Sequence, residues 1–219
     1  MSALNAVDPL DLQKVLSRHL PLYRNKVPVY QAHMLDSLRE VWSDRHESLL
    51  DIGGGTGVIA EAIATLFPVE HVRTIDLVDR FCTTLSVETA QYDGRTMPFA
   101  TGSFAAATLN NVLHHVPATE RAGLLSEIRR VVKGPLYIKD HASTGWIDDA
   151  RLTALDAIGN IPFGGMIKAQ YLSPREWSEL ASASGWRIVR TAAPRRYRTG
   201  VMAALFPNRL EITLRLDPV

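Results

Sequence analysis

The feature that most constrains this chain is the run Gly53-Gly54-Gly55-Thr56-Gly57, set between a strand-like and a helix-like segment. Before it, Ser48-Leu49-Leu50-Asp51-Ile52 reads as a short apolar strand. After it, Ile59, Ala62, Ile63 and Leu66 recur at helical spacing until Pro68 closes the segment. Glycines let the main chain turn sharply and let a ligand come close to it. In open α/β sheets, ligands bind outside the C-terminal strand ends, where strand order reverses. Spacing then narrows the ligand class. A P-loop ends in Gly-Lys-Ser/Thr, and here Val58 and Ile59 follow Gly57. In a dinucleotide fingerprint counted from Gly53, the third glycine falls on Val58. The run fits D-x-G-x-G-x-G instead, with Asp51, Gly53, Gly55 and Gly57 in register and Gly54 between them.

The rest of the chain supplies a sheet for that loop. Asp8-Pro9 opens a helix through Leu10, Leu12, Val15, Leu16 and Leu20, and a second helix is expected over Tyr30 to Trp42, the two capping one edge of the sheet. Further strands are expected at Val72–Leu77, Val87–Asp93, Ala105–Asn110 and Leu136–Lys139, with an amphipathic helix over Glu120–Val132. Alternating strands and helices predict a mostly parallel sheet with helices on both faces. Ser173-Pro174-Arg175-Glu176 is a capping box opening a helix that ends near Gly185. Trp186–Thr191 and Leu210–Leu216 then read as two strands joined by a plain loop, hence an antiparallel edge pair. The expectation is an α/β three-layer sandwich: a mostly parallel seven-stranded sheet ending in an antiparallel edge hairpin, plus N-terminal cap helices. All 219 residues are read as one domain, with 1–46 as helical cap and 47–219 as Rossmann-like core.

About twenty residues beyond Gly57 stands Asp76, where Rossmann folds carry the carboxylate for ribose hydroxyls, with Asp79 as the alternative. Tyr92-Asp93-Gly94, Met97-Pro98-Phe99 and Ser103-Phe104 follow, then Asn110-Asn111-Val112-Leu113-His114-His115, and Ile138-Lys139-Asp140-His141. In this order the segments resemble class I S-adenosylmethionine-dependent methyltransferases. The first run is similar to that family's motif I. The second is similar to "D-A/G-x-x-L-P-F-x-x-x-S-F-D", and the third to "V-L-H-H". A bacterial subset carries "I-K-D-H", and its "M-D-W-x-G-N" is similar to Leu155-Asp156-Ala157-Ile158-Gly159-Asn160. The subset's "Y-N-Y-W-x-x-x-x-W" is similar to the stretch holding Tyr171 and Trp177. Two positions depart from the pattern: Ala105 and Asn111 stand where acids are usual. The span from Asp76 to Asp93 is also too short for a full helix and a complete strand.

The resemblance implies S-adenosylmethionine as cofactor, held by Asp51, Gly53, Gly54, Gly55, Gly57, Asp76, Leu77, Asp93, Gly94, Asn110 and Asn111. Asp76 would take the ribose hydroxyls, and Asp93 with Gly94 the adenine. His141, then His114, are the candidate catalytic groups, since an oxygen acceptor wants a base and imidazole suits neutral pH. Tyr30, His115, Asn160 and Tyr171 are candidate substrate-pocket residues. Lys139 and Asp140 are expected to pair with each other. Adjacent His114 and His115 are expected to diverge, so no metal is expected.

The expected function is methyl transfer to a small-molecule acceptor, possible in specialised metabolism. The alternatives are a non-catalytic methyltransferase-like partner subunit and, against the glycine register, a NAD-dependent oxidoreductase. A formal net charge of +1 leaves little to hold a polyanion, so nucleic acid is not an expected partner. Arg195, Arg196 and Arg198 read as a solvated basic face. No apolar run of membrane-spanning length occurs, and Cys82 is the single cysteine, which excludes an intrachain disulfide. A cytoplasmic protein without a signal peptide is expected.

Overall fold

The computed structural model describes residues 6–160 and 169–219. Its helices are α1 (Pro9–Leu16), α2 (Val29–Val41), α3 (Val58–Leu66), α4 (Ala118–Val131), α5 (Trp146–Asn160), α6 (Pro174–Ala183) and α7 (Gly200–Leu205). The strands are β1 (His46–Ile52), β2 (Val69–Asp76), β3 (Glu88–Gln91), β4 (Ala106–Asn110), β5 (Leu136–His141), β6 (Trp186–Thr191) and β7 (Glu211–Pro218).

They form one seven-stranded sheet in the order β3-β2-β1-β4-β5-β7-β6. The first five run parallel, and β7 runs antiparallel to both β5 and β6. The sheet is thus the expected mostly parallel one with an antiparallel hairpin at its edge. Chain order reverses direction at β1/β4, which opens a crevice between their C-terminal ends.

Side chains alternate across the strands and divide the core in two. Leu49, Val72, Ala106 and Tyr137 face α1, α2 and α3. Leu50, Ile75, Ala107, Leu136 and Ile138 face the other way, toward α4 and α6. Each buried leucine or isoleucine contributes roughly 1.5–3 kcal/mol through lost apolar exposure. The N-terminal helices therefore cover a face rather than an edge: α2 packs on β5 and β7, and α1 packs on α3. Asp8 caps α1 by accepting from Leu10 N at 2.8 Å, with Pro9 in the first turn.

Two local expectations change, and one helix is added. Between β6 and β7 the chain is no plain loop; it makes α7 and a short 3-10 turn at Asn208–Leu210. Helix α5 was not visible as a pattern. Within its described side chains the buried set is Asp148, Leu152 and Asp156, so two members of its inward stripe are acids. The hydrophobic periodicity that marks a helix is missing there. Arg198 is not part of a solvated face either, since its side chain is 8% exposed and its guanidinium lies on Glu211.

Candidate functional site

Strand β1 ends beneath the glycine run, and Asp51 is the reason the strand ends align. It stands opposite Thr74 of β2 and Thr108 of β4 in the parallel register. Its carboxylate accepts from Thr74 Oγ1 at 3.0 Å, Thr108 Oγ1 at 2.8 Å and Asn110 Nδ2 at 3.3 Å. Burial raises the Asp51 pKa, against these three donors, which lower it. At 2% exposure the carboxylate is committed to these three donors beneath the loop. Neither threonine was singled out from sequence; the available signal was a polar residue inside each apolar strand.

Above Asp51 the loop is tight on one side and open on the other. A Cβ at Gly54 would stand 1.8 Å from Thr74 Oγ1, so any side chain there breaks the packing. A Cβ at Gly55 would meet nothing within 4 Å, and its φ of +59° favours glycine. Gly55 N donates to Asp76 Oδ2 at 2.8 Å, and Val78 N donates to Asp76 Oδ1 at 3.1 Å. The loop tip and the carboxylate at the end of β2 thus share one locus. Asp79, the alternative, is exposed.

Leu77, Asp93 and Gly94 meet beside that locus. Tyr92 N donates to Asp76 O at 3.1 Å, which brings the ends of β2 and β3 together. A Cβ at Gly94 would lie 3.0 Å from Leu77 Cδ2, and Leu77 is 47% exposed. Asp93 accepts from Arg95 N and Thr96 N, both at 2.8 Å and both on Oδ1. Those backbone donors, Thr96 first, lower its pKa. As the short spacing implied, no helix is described between β2 and β3. Glu61 of α3 does a helix's anchoring work by accepting from Ser86 N at 2.8 Å and Val87 N at 3.2 Å.

Beyond β4 the chemistry changes from backbone to buried side chains. Asn110 keeps its Oδ1 buried without a hydrogen bond. Asn111 adopts the left-handed φ of +54°, and its N donates to Lys139 O at 2.7 Å. A single 3-10 turn, Leu113–His115, carries both histidines. Their rings do not diverge as expected from adjacency; the turn brings the centroids to 4.0 Å. His114 Nδ1 makes a short bond with Asp140, and Nε2 lies 3.3 Å from Asp156 Oδ2. Tyr171 donates to Asp156 Oδ2 at 2.5 Å. His141 Nε2 is 3.7 Å from Asp156 Oδ1, while its Nδ1 is 3.5 Å from Glu211 Oε2.

Lys139 and Asp140 do not pair with each other, because neighbours on a strand point to opposite faces. Lys139 pairs with Glu211 and donates to Tyr30 Oη at 3.1 Å. Arg198 also sits on Glu211, and Tyr197 donates to it at 2.9 Å. Tyr30, Met34, Lys139, Tyr197 and Glu211 line one cleft. Glu211 is the residue sequence reasoning missed outright; it begins β7, far along the chain from every motif. Of the substrate-pocket candidates, Tyr171 joins the His114 cluster and Tyr30 the Lys139 cluster, on either side of His141. The Asn160 side chain lies outside the described residues.

The two histidines are driven apart electrostatically. Burial alone would lower His114, but the Asp140 and Asp156 carboxylates outweigh it and raise its pKa to about 9. His141 is lowered to about 4, by burial first and then by the Lys139 charge. At neutral pH, His114 is charged and His141 neutral. Asp140 is held at about 2, burial being outweighed by the His114 charge and hydrogen bond.

Residues 50–135 match the family model described as a methyltransferase domain. That stretch of the chain is thus similar to a methyltransferase domain. The sheet is also that of solved methyltransferases at low sequence identity. Geranyl diphosphate C-methyltransferase from Streptomyces coelicolor, solved with Mg2+, geranyl diphosphate and S-adenosyl-L-homocysteine, superposes with a TM-score of 0.63 at 16% identity, over 100% of this chain and 88% of that one. Magnesium protoporphyrin IX methyltransferase from Synechocystis, with bound SAH, gives 0.61 at 15% identity over 96% and 94%. The chain named as a methyltransferase in the complex with the Haloferax volcanii Trm112 methyltransferase activator gives 0.64 at 12% identity over 95% and 93%. No curated protein matches the chain. The matched residues span the glycine loop, Asp76, Asp93, Gly94 and His114, but stop short of His141 and Glu211.

Proposed function

We propose that this protein transfers a methyl group from S-adenosylmethionine to a small-molecule acceptor. The observation that carries the reading is the Gly55–Asp76 junction. An open backbone turn and a fixed carboxylate converge there at the strand-order reversal, the combination a nucleoside needs. Bound there, the cofactor would supply a methyl already activated on a sulfonium, so alignment can account for much of the acceleration.

The chain's own residues divide the remaining work. Asp76 holds the ribose hydroxyls, and Asp93 Oδ2 accepts from the adenine amine while Oδ1 stays on Arg95 and Thr96. Leu77 and Gly94 flank the ring. Gly53, Gly54, Gly55 and Gly57 let the main chain approach, with Asp51 fixing them from beneath. Asn110 offers an unsatisfied buried oxygen beside Asn111. At the acceptor, neutral His141 can take a proton, whereas charged His114 cannot. Tyr30, Tyr171 and His115 line the acceptor side in this reading.

Calorimetric titration with S-adenosylmethionine tests it, repeated on Asp76→Ala and with NAD as control. Micromolar binding lost in the variant, with NAD silent, is the expected outcome; no heat from S-adenosylmethionine sinks the reading. The likeness to the Trm112 partner favours a second reading, a subunit that is non-catalytic or inactive alone. Turnover to S-adenosylhomocysteine by the isolated chain excludes it.

A further inference from the structure

We propose that His114, His115 and Asp156 form a binding site for one divalent transition-metal ion of the zinc, cobalt or nickel class. Each offers a ligand atom, and these atoms lie within 4.8 Å of one another. They come from two elements, the turn after β4 and the inward stripe of α5, so the fold assembles the group. No ion is needed to explain the methyltransferase fold, and the proposal does not rest on methyl transfer.

The stronger observation is what stands behind the ligands. His114 is 1% exposed, and its Nδ1 is taken by Asp140. Its Nε2 is the nitrogen left for a metal; it is buried and faces Asp156 Oδ2 at 3.3 Å, and a binding ion takes the place of the proton it carries there. A metal-bound histidine almost always has its second nitrogen on a carboxylate or carbonyl, which fixes the tautomer and aims the first. Asp156 is oriented in the same way, by the Tyr171 hydroxyl at 2.5 Å. The Tyr171 ring stacks on His114, with centroids 5.5 Å apart. His115 is half-buried and gives the group an edge toward the surface.

Charge and ligand type agree with a transition metal. Asp140 and Asp156 are two buried carboxylates, a pair that balances a dication. Two imidazoles and one carboxylate suit zinc and its neighbours, whereas magnesium and calcium prefer all-oxygen shells. Ligand bonds of about 2.1 Å require the three atoms to close to roughly 3.4 Å, a movement of about 1 Å. Three protein ligands leave a position for water or for an oxygen of a bound molecule.

Cobalt supplies a readout independent of any enzyme activity. Untagged protein titrated with Co2+ should develop a visible d–d band that saturates at one ion per chain. His115→Ala should abolish the band while leaving the metal-free melting temperature near wild type, since that ring is only half-buried. Asp140→Asn, which removes the charge behind His114, should weaken binding about 10–100-fold. His71→Ala, which removes an exposed imidazole on β2, should leave the band unchanged. A silent wild type overturns the proposal, and the cluster is then an internal ion pair. A band that survives in His115→Ala overturns it as well.

Discussion

The two sides of the crevice are built in opposite ways. On the β1–β3 side the polar contacts run from carboxylates to nearby main chain: Asp76 to Gly55 and Val78, Asp93 to Arg95 and Thr96. On the β4–β7 side they run between buried charged side chains far apart in sequence. Lys139 and Arg198 share Glu211, and His114 lies between Asp140 and Asp156. Asp93 is exposed, so water can replace it on its backbone donors; Asp76 is buried, but its hydrogen bonds come from main-chain N–H groups, so its loss strands no buried charge. Buried ion pairs differ, because removing one member leaves its partner uncompensated. The first side should therefore tolerate substitution in stability while losing its ligand, and the second should lose the fold.

Glu211→Ala is the largest test of that contrast. It strands the Lys139 ammonium and the Arg198 guanidinium, and should cost about 3–5 kcal/mol in denaturant unfolding. Glu211→Gln keeps hydrogen-bond capacity without the charge and should fall between wild type and alanine. A loss under about 1 kcal/mol for alanine would mean that water reaches this cluster, and the contrast fails.

Acid should act on the same side. Lys139, Arg198 and His141 face Glu211, with Tyr197 donating to it. Burial pushes the Glu211 pKa up, but the Lys139 charge outweighs it and holds the carboxylate below its usual range. Its folded pKa is thus depressed against an unfolded value of about 4.3. The stability it contributes is present above that value and is lost as pH falls through the folded pKa. Wild type should weaken below about pH 4, and Glu211→Gln should show a flatter acid limb in the same titration.

The same contrast decides what could be read in advance. The β1–β3 side was legible because its determinants are local: Asp51, the glycines, Asp76, Asp93 and Gly94 fall in one stretch at informative spacings. Even there the Asp51 partners Thr74 and Thr108 were not legible, since they are set by strand register, which a single sequence does not display. Across β1 the histidines were visible but their pairing was not. Lys139 lies next to Asp140 in sequence yet bonds to Glu211, because pleating separates neighbours and antiparallel β7 returns beside β5. Helix α5 stayed hidden since Asp148 and Asp156 occupy inward positions where a periodic pattern needs apolar residues.

Gly57→Ala probes the backbone side at its most constrained point. The residue holds φ at +80°, and a new Cβ would stand 2.4 Å from Leu85 Cδ1. The left-handed conformation costs an alanine roughly 1–2 kcal/mol, and the Leu85 side chain must move aside. Thermal unfolding should place this variant between Glu211→Ala and wild type.

Asp76→Asn should be the mildest in stability and is the sharpest discriminator. The amide keeps an oxygen for one of the two backbone donors, Gly55 N or Val78 N. One such bond is worth about 0.5–1.5 kcal/mol net, and Gly55 lies where water can take its place. The unfolding free energy should therefore shift by about 1 kcal/mol or less. Nucleoside binding should weaken far more, since a carboxylate accepts from both ribose hydroxyls and an amide does not. A variant that unfolds as readily as Glu211→Ala would place Asp76 among the structural ions, and the division of the crevice into a binding side and a stability side would no longer hold.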